Sequence, residues 1–450
     1  MKRIIIQFGG TGDLVRTKLY PAYDNLIRKG FDFTTLALGR RFSDRGDFLA
    51  SMVDSSVSDA FLERLDYLSY DMADPNATDL LHDRLQQIIA DNTEIELIYY
   101  LALQPSLYEE VINQIQKVDS QVSCACRISK KIVVEKPFGF DLESAERYNE
   151  ILLKGFSDKE IYRVDHYLGK EFMQNLLILR FHNDIIRKIW DNNSIENIQI
   201  IFDETHGVDQ RLGFYEKIGV VRDTIQNHIM QIVTYLTMNE PVALTPEDIS
   251  MEKVKVLRSI APITDFHMGK YDTLGASSNH EVNTPTYAAF KLSVNTYDFT
   301  GIPIYVRTGK MQKEPKSLIY IKFRNTTKKA MHDETIAENG VIITIHPELS
   351  IDICMNLKQP NTSWKSKPVR FRFNQAETFG ANTPEAYEQI VRKILEGDKS
   401  LFPTMQEIKE SWRIVVPMLE EDIPLEVYPS RALPSFVAGL SEHDGFTWFA

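Results

Sequence analysis

The first third of the chain alternates short apolar runs with amphipathic segments, and this alternation constrains the fold more than any other feature. Five runs have the length and composition of strands: residues 4–8, 35–38, 65–68, 96–102 and 132–134. Segments with helical spacing, such as 78–89 and 107–115, lie between them. Strands that alternate with helices predict a parallel sheet covered on both faces, which also explains why these runs are almost wholly apolar. We therefore predict an α/β domain with a Rossmann-like parallel sheet over residues 1–165.

The pattern changes after this first domain, and the change predicts a second domain of another class. Strand-like runs that often alternate polar and apolar residues occur at 195–202, 288–294, 304–306, 318–323, 341–345 and 369–373. Helical spacing occurs at 222–236, 384–395 and 405–419, and residues 428–450 are rich in turn residues, which predicts an irregular tail. Alternating strands are typical of antiparallel sheets with one solvated face. We predict an α+β domain with a large, mostly antiparallel sheet over residues 166–450.

Charge and hydropathy exclude two classes of partner. The formal net charge is −12, whereas binding to a phosphate backbone needs lysine and arginine, so we expect no nucleic acid partner. No apolar run approaches the roughly 18–20 residues of a membrane span, so we expect no membrane partner. The first residues lack the apolar centre of a signal peptide, and Cys124, Cys126 and Cys354 lack metal-ligand spacing. We therefore expect reduced thiols, no metal site and a cytoplasmic location.

A glycine-rich turn directly follows the first predicted strand. In chain order it consists of Gly9, Gly10, Thr11, Gly12, Asp13 and Leu14. Glycines permit a tight turn and let backbone N–H groups approach a pyrophosphate, which the following helix N-terminus also favours. The spacing differs from the complete G-x-G-x-x-G pattern, so an ordinary glycine-rich turn is the alternative. We predict that this turn binds a dinucleotide.

Two arginines follow the second predicted strand, where the adenosine ribose of a dinucleotide usually lies. Arg40 and Arg41 occupy this place, and no acid accompanies them. Sites for NAD tend to hold the ribose 2′-hydroxyl with an acid, whereas arginine pairs with the 2′-phosphate of NADP. The sequence therefore favours NADP, with two solvated surface arginines as the alternative.

The densest group of titratable residues lies at 163–171, at the junction of the two predicted domains. Asp165, His166, Tyr167 and Lys170 occur within this run, behind a strand-like lead-in. A protein core has little use for so many ionisable groups, whereas a site that moves a proton beside an anionic substrate needs them. Domain junctions are also common places for active sites. We predict part of an active site here, with a polar loop as the alternative.

His228 is the candidate general base. It lies in a predicted helix, at the edge of an apolar stripe that includes Ile225 and Ile229. A neutral histidine is a good general base, and a carboxylate such as Asp165 on its other nitrogen would fix the tautomer. The alternative is a histidine packed in the core.

Two lysines follow or end predicted strands, at positions that can face a ligand. Lys136 follows the run 132–134, and the next residue, Pro137, restricts it to extended backbone and permits a cis peptide. Lys310 ends a strand of the second domain. Each supplies a cation for an anionic ligand, and for each the alternative is a solvated surface charge.

These motifs, in this order, resemble those of the glucose-6-phosphate dehydrogenase family. The family has a G-x-x-G-D-L turn, an E-K-P-F-G segment, an R-I/V-D-H-Y-L-G-K-E segment and an R-D-x-x-Q-N-H helix. They match residues 9–14, 135–139, 163–171 and 222–228. The similarity continues at 174–177, 180–181, 307–310, 386–387 and 397–402, so it covers nearly the whole chain. The segment 163–171 is highly specific to the family, whereas the glycine turn is not.

The resemblance implies a reaction and a role for each candidate residue. The family oxidises glucose 6-phosphate at C1 to 6-phosphogluconolactone, with hydride transfer to NADP, in the oxidative pentose phosphate pathway. His228 would be the general base, and Asp165 would orient it. The substrate phosphate would be bound by His166, Tyr167 and Lys170, and the sugar hydroxyls by Lys136, Glu204, Asp223 and Lys310. Lys136 would also border the cofactor, and the second domain would support a homodimer.

The chain departs from the family pattern at several positions. Pro315 stands where a second phosphate-side cation is usual, and His346 stands where glutamine is expected. Arg40 and Arg41 are displaced by a residue or two, which leaves NAD open as the cofactor. Two alternatives to the family reaction follow: a divergent paralogue acting on another aldose phosphate, and a catalytically silent nucleotide-binding protein.

Overall fold

The chain folds into two compact units. A computed structural model describes residues 1–450 apart from 55, 91, 123–125, 277, 326–336, 363–364, 380–384 and 450. Unit 1 comprises Met1–Lys170, Ala243–Ser250 and Pro384–Lys409, and unit 2 comprises Glu171–Val242, Met251–Thr383 and Glu410–Ala450. The predicted domain of residues 1–165 does not include the two later segments of unit 1. The division into 1–165 and 166–450 stays a prediction.

Unit 1 is built on a six-stranded parallel sheet. Its strands are β1 Lys2–Phe8, β2 Thr34–Gly39, β3 Leu65–Ser69, β4 Glu94–Leu101, β5 Arg127–Glu135 and β6 Ile161–Val164. They are arranged in the order β3-β2-β1-β4-β5-β6, and every pairing is parallel. Ile4, Ile5 and Ile6 in β1 are at most 1% exposed, so this strand is covered on both faces. The Rossmann-like prediction is confirmed.

Helices lie at the predicted segments 78–89, 107–115, 384–395 and 405–419, and others lie where no prediction was made. The helices are α1 Tyr20–Arg28, α2 Arg45–Met52, α3 Asp59–Leu62, α4 Ala77–Ile89, α5 Tyr108–Gln121, α6 Leu142–Gly155, α7 Glu171–Phe181, α8 Asp184–Arg187, α9 Leu212–Tyr215, α10 Met230–Thr237, α11 Pro246–Ser259, α12 Gln375–Phe379, α13 Ala386–Glu396, α14 Met405–Glu420 and α15 Ser435–Asp444. Two π-helical segments, Val15–Leu19 and Val221–Ile229, run directly into α1 and α10. Three 3₁₀ turns are Pro105–Leu107, Asp158–Glu160 and Asp209–Arg211. Helix α6 begins at a capping box formed by Asp141 and Ser144, and α13 ends at Gly397, which has a φ of +77°.

Unit 2 contains a nine-stranded mixed sheet. Its strands are β7 Ile195–Asp203, β8 Phe266–Tyr271, β9 Tyr287–Ser293, β10 Pro303–Gly309, β11 Lys316–Phe323, β12 Gly340–His346, β13 Ser350–Lys358, β14 Ser366–Asn374 and β15 Glu426–Tyr428. The order is β14-β13-β12-β11-β7-β10-β9-β8-β15. Strand β7 pairs with β10 in parallel and β8 with β15 in parallel, whereas the other described pairings are antiparallel. The predicted large, mostly antiparallel sheet is confirmed.

Two smaller expectations are wrong. Residues 428–450 do not form an irregular tail, because α15 lies within them and Phe446 then stacks on Tyr305 with ring centroids 3.7 Å apart. Cys126 is disulfide-bonded rather than reduced, whereas Cys354 is free. Within the described ranges, no helix combines the length and the apolarity that crossing a membrane requires.

Candidate active site

The glycine turn after β1 closes against two neighbouring strands. Gly9 has a φ of +71°, and a Cβ there would lie 2.5 Å from the carbonyl oxygen of Ala102. The N–H of Gly10 donates to the carbonyl of Leu38 at 2.9 Å, and a Cβ on Gly10 would lie 2.9 Å from the Cβ of Ala37. Both positions therefore need glycine. The turn lies at the carboxyl ends of the parallel strands, the edge at which such sheets bind nucleotides.

A cavity of about 730 Å³ opens beside this turn. Phe8, Gly9, Thr11, Gly39 and Arg40 line it together with the mainly apolar side chains Tyr70, Met72, Leu103 and Leu107. Of the two arginines predicted to meet a 2′-phosphate, Arg40 lines the cavity, whereas the guanidinium of Arg41 lies 5.5 Å from the ring of Phe42. The cavity has the glycine turn, the apolar wall and the cation that an adenine dinucleotide phosphate needs.

The remaining residues of the turn hold its shape. The N–H of Gly12 donates to the carbonyl of Gly9 at 2.9 Å. The carboxylate of Asp13 pairs with Arg16 at 3.0 Å, and Leu14 immediately precedes the π-helical segment. Two acids that the sequence prediction missed, Asp71 and Glu110, also line the cavity.

The segment predicted to move protons follows β6 directly. Asp165 is 1% exposed, and its carboxylate accepts from the N–H of Tyr167 at 2.9 Å. The carbonyl of Asp165 accepts from the N–H of Leu168 at 3.0 Å, so a tight turn holds the carboxylate. The ammonium of Lys170 lies 3.7 Å from the centroid of the Tyr167 ring, in cation–π geometry. The turn therefore places an acid, a phenol and a cation within six residues of each other.

Two candidate residues of unit 1 reach the same edge of the sheet from different strands. Glu135 is the register partner of Val164, so Lys136 and Asp165 are the next residues after paired positions of β5 and β6. The peptide between Lys136 and Pro137 is cis. Parallel strands end at a common edge, which is why residues 29 positions apart in sequence are neighbours here.

Unit 2 brings together three of the predicted sugar-binding residues. The ammonium of Lys310 lies 2.5 Å from the carboxylate of Glu204 and 3.0 Å from that of Asp223. Burial alone would lower the pKa of Lys310, but the two carboxylates raise it above its usual value. Lys310 is therefore a buried ammonium that is charged at neutral pH and holds two acids in fixed positions.

The backbone of β10 explains how Lys310 reaches this position. Gly309 pairs with Asp203 of the parallel strand β7, so Lys310 and Glu204 follow paired residues at one edge. A Cβ on Gly309 would lie 2.0 Å from the ring of Tyr287, so no other residue fits there without displacing that ring.

His228 lies in the π-helical segment Val221–Ile229, and it is 3% exposed. The side-chain amide of Asn227 donates to the carbonyl of Arg222 at 3.1 Å within this segment. Such segments are rare, and they occur frequently at functional sites. The two halves of the predicted dyad, His228 and Asp165, belong to different units, and their pairing stays a prediction.

Comparison with known proteins gives a consistent result along the chain. Residues 5–175 match the model of the glucose-6-phosphate dehydrogenase NAD binding domain, and residues 177–449 match that of the C-terminal domain. A glucose-6-phosphate 1-dehydrogenase of Bacillus subtilis is 33% identical over 446 residues, which cover 92% of this chain and 90% of the relative. A cytoplasmic glucose-6-phosphate 1-dehydrogenase of Arabidopsis thaliana is 32% identical, over 92% of this chain and 85% of the relative.

Solved structures agree with the sequence relatives. A glucose-6-phosphate dehydrogenase in complex with its substrate glucose 6-phosphate is 29% identical, with a TM-score of 0.90. The match covers 100% of this chain and 98% of that one. The enzyme from Mycobacterium avium is 26% identical, with a TM-score of 0.85 over 100% of this chain and 99% of the other.

Proposed function

The chain belongs to the glucose-6-phosphate dehydrogenase family, and we propose that it oxidises glucose 6-phosphate at C1 to 6-phosphogluconolactone with hydride transfer to NADP. The observation that carries this proposal is the structural match, at a TM-score of 0.90, to a family member in complex with glucose 6-phosphate. The family models support it, because together they cover residues 5–175 and 177–449. We therefore assign the chain to carbohydrate metabolism, as an oxidoreductase.

His228 is proposed as the general base that takes the proton of the C1 hydroxyl. A neutral imidazole is a good general base, and its burial excludes competing water. Asp165 is proposed to orient the imidazole and to stabilise the imidazolium that forms. The tight hydrogen bond from the Tyr167 N–H to Asp165 supports this role, because it fixes the carboxylate before substrate binds.

His166, Tyr167 and Lys170 are proposed to bind the phosphate of the substrate. A phosphate needs cations and strong donors, and these three side chains supply an imidazole, a phenol and an ammonium within one turn. The contact between Lys170 and the Tyr167 ring supports a joint action, since it holds the flexible lysine chain beside the phenol. The phosphate would thereby anchor the sugar at the end far from C1.

Lys310, Glu204, Asp223 and Lys136 are proposed to hold the sugar hydroxyls. The two acids around Lys310 accept hydrogen bonds from hydroxyl groups, and the ammonium donates to them. Pairing with Lys310 holds both carboxylates in place, which supports an acceptor role. Lys136 lies at the edge of the sheet in unit 1, so it is proposed to border both the sugar and the cofactor.

NADP is proposed as the preferred cofactor, with Arg40 as the residue that meets its 2′-phosphate. The position of Arg40 in the wall of the cavity supports this choice, and Arg41 is assigned no direct contact. Bound NADP supplies the acceptor for the hydride from C1. The acids Asp71 and Glu110 in the same wall leave NAD as the alternative cofactor.

A homodimer is proposed through the outer strands of unit 2. Met355, Leu357 and Phe371 are 48–54% exposed, and the register of β13 and β14 places them on one face of the sheet. Exposed apolar groups on one face are typical of a surface that another chain covers. Light scattering should give twice the mass of the chain for the wild-type protein and the mass of a single chain for Phe371→Glu.

A cytoplasmic location is proposed as well, as for the Arabidopsis relative.

Absorbance of the reduced nicotinamide tests the activity directly. The purified protein is mixed with glucose 6-phosphate and with NADP or NAD in parallel. Reduction of NADP establishes the reaction, and the ratio of the two rates gives the cofactor preference. Reduction with only another aldose phosphate would favour a divergent paralogue, and cofactor binding without reduction by any sugar phosphate would favour a silent protein.

A further inference from the structure

A glutamate that the proposed reaction does not use is buried at the end of β5. The side chain of Glu135 is enclosed by tyrosines: the hydroxyl of Tyr100 donates to one carboxylate oxygen at 2.6 Å, and that of Tyr387 donates to the other at 3.3 Å. A third hydroxyl, on Tyr108, donates to the backbone carbonyl of Glu135 at 3.1 Å. Burying an ionisable group is costly, so a carboxyl held in this way needs an explanation beyond packing.

The surroundings of Glu135 connect it to the proposed substrate site. Its register partner in β6 is Val164, which directly precedes Asp165. The ring of Tyr387 is nearly parallel to the ring of His166, with an interplanar angle of 5° and centroids 6.2 Å apart. The ring of Tyr387 therefore lies between the carboxyl of Glu135 and the imidazole of His166.

Titratable groups face Glu135 from every element packed around it. Tyr23 of α1, Tyr100 of β4, Tyr108 of α5 and Tyr387 of α13 all interact electrostatically with its carboxyl, as do Lys136 next to it and Asp165 after β6. Apart from Lys136, these groups are neutral phenols or a second acid.

We propose that Glu135 is a positioning residue for the reaction: its ionised carboxylate holds Tyr387 and thereby orients His166 for the substrate phosphate, and proton uptake by Glu135 weakens this support. The inference rests on the proposed function, because it assigns His166 to substrate binding. A carboxylate accepts from both phenols at once, whereas a protonated carboxyl carries a hydrogen on one oxygen, so the phenol that faces this oxygen no longer donates to it as before. Tyr387, which is bound at the longer distance, is the phenol expected to turn.

The ionisation of Glu135 falls within the physiological range. The pKa of Glu135 is raised to about 7: burial is the largest cause and Asp165 adds to it, whereas the hydrogen bonds from Tyr100 and Tyr387 and the ammonium of Lys136 oppose the rise. Above this pH the carboxylate is ionised and holds both phenols. Below it the carboxyl is neutral, so we expect substrate affinity to fall as the solution becomes more acidic.

Glu135→Gln separates this role from a merely structural one. The amide has the shape of the neutral carboxyl and does not titrate. We measure kcat/KM for glucose 6-phosphate from pH 6 to 8.5 in both enzymes and take their ratio, which cancels the ionisations of His228 and of the substrate phosphate. The wild-type enzyme should exceed the variant by about 10-fold at the alkaline end, the size expected for a lost charge-assisted hydrogen bond, and by much less at the acid end. A ratio that is constant with pH would overturn the proposal.

Two tyrosine variants provide a matched pair. Tyr100→Phe removes the 2.6 Å donor to the carboxylate, so the pKa of Glu135 should rise and the acid limb of kcat/KM should move to higher pH. Tyr108→Phe removes a phenol whose hydroxyl donates to the backbone carbonyl of Glu135, whereas that of Tyr100 donates to the carboxylate. The acid limb of this variant should therefore stay in place. Equal shifts in the two variants would contradict a role for the carboxyl.

Infrared difference spectra test the ionisation without turnover. The carbonyl stretch of a protonated carboxyl should grow as the pH falls through about 7, and it should be missing from Glu135→Gln. A wild-type protein that reduces no cofactor with glucose 6-phosphate would refute the proposed function. An active wild-type protein whose spectrum lacks this titrating band would refute the role of Glu135 alone.

Discussion

Replacing Lys310 by methionine should destabilise the protein and weaken binding of the sugar. The ammonium is 4% exposed, Asp223 is 17% exposed and Glu204 is 46% exposed, so the pair with Asp223 is the buried one. Removing one partner of a buried ion pair costs about 3–5 kcal/mol, because the other charge stays buried without compensation. The contact with the half-exposed Glu204 adds little, since water screens it. We therefore expect the free energy of unfolding to fall by about 3 kcal/mol.

The sign of the pH dependence follows from the raised pKa of Lys310. A base whose folded pKa lies above its ordinary value stabilises the folded state fully below that ordinary value, which is 10.5 for lysine. The stabilisation is lost only as the pH rises through the folded pKa. Urea unfolding of wild type and Lys310→Met at pH 7.5 should therefore report the whole difference, and the difference should shrink above pH 10.5.

Lys322→Met is the matched control. This lysine also lies between two acids, at 3.0 Å from Glu196 and 2.5 Å from Glu338, but the acids are 38% and 53% exposed. Exposed pairs contribute about 0–1 kcal/mol, so the control should lose at most that much stability and keep its KM for glucose 6-phosphate. Lys310→Met should raise KM by about 10-fold or more. Equal losses of stability in the two variants, or an unchanged KM in Lys310→Met, would refute the reasoning from burial.

Three further substitutions test the assigned roles. His228→Asn should lower kcat by about 10²–10⁴-fold while the Kd for glucose 6-phosphate stays nearly unchanged, and near-normal steady-state turnover would remove the base assignment. Lys170→Ala should raise KM for glucose 6-phosphate and slow turnover, and inorganic phosphate should inhibit the variant less than it inhibits wild type. Unchanged kinetic constants together with unchanged inhibition by phosphate would place Lys170 outside the site. Arg40→Ala should raise KM for NADP by about 10-fold or more and leave KM for NAD nearly unchanged, while Arg41→Ala serves as its control; equal effects on both cofactors would refute the 2′-phosphate assignment.

Much of the fold could be predicted because it depends on local patterns. Apolar runs such as residues 4–8 predict covered parallel strands, and the structure has them there. The π-helical segment Val221–Ile229 could not be predicted, since its apolar spacing is also that of an α-helix and no local signal separates the two. Sequence placed His228 at the edge of an apolar stripe, whereas the structure buries it.

The site could be predicted in its members but less well in its arrangement. Neighbouring arginines at 40 and 41 are indistinguishable in sequence, and only the folded backbone decides that Arg40 lines the cavity. Glu135 was missed because its partners are distant in the chain: Tyr387 is 252 positions away. A buried glutamate before a lysine carries no signal of its own until the tyrosines around it are known.

The late segment Pro384–Lys409 has a consequence for how the protein is made. Helix α13 packs against α1, where Asn25 and Lys29 both contact Glu388. The ammonium of Lys131 in β5 also donates to the carbonyl of Ile394 at 2.6 Å. During synthesis the six strands of unit 1 emerge from the ribosome more than two hundred residues before α13. The nascent unit 1 therefore lacks this helix, and the contacts that it makes with α1 and β5, for most of translation. Nascent chains arrested before and after residue 409 should therefore differ sharply in protease resistance.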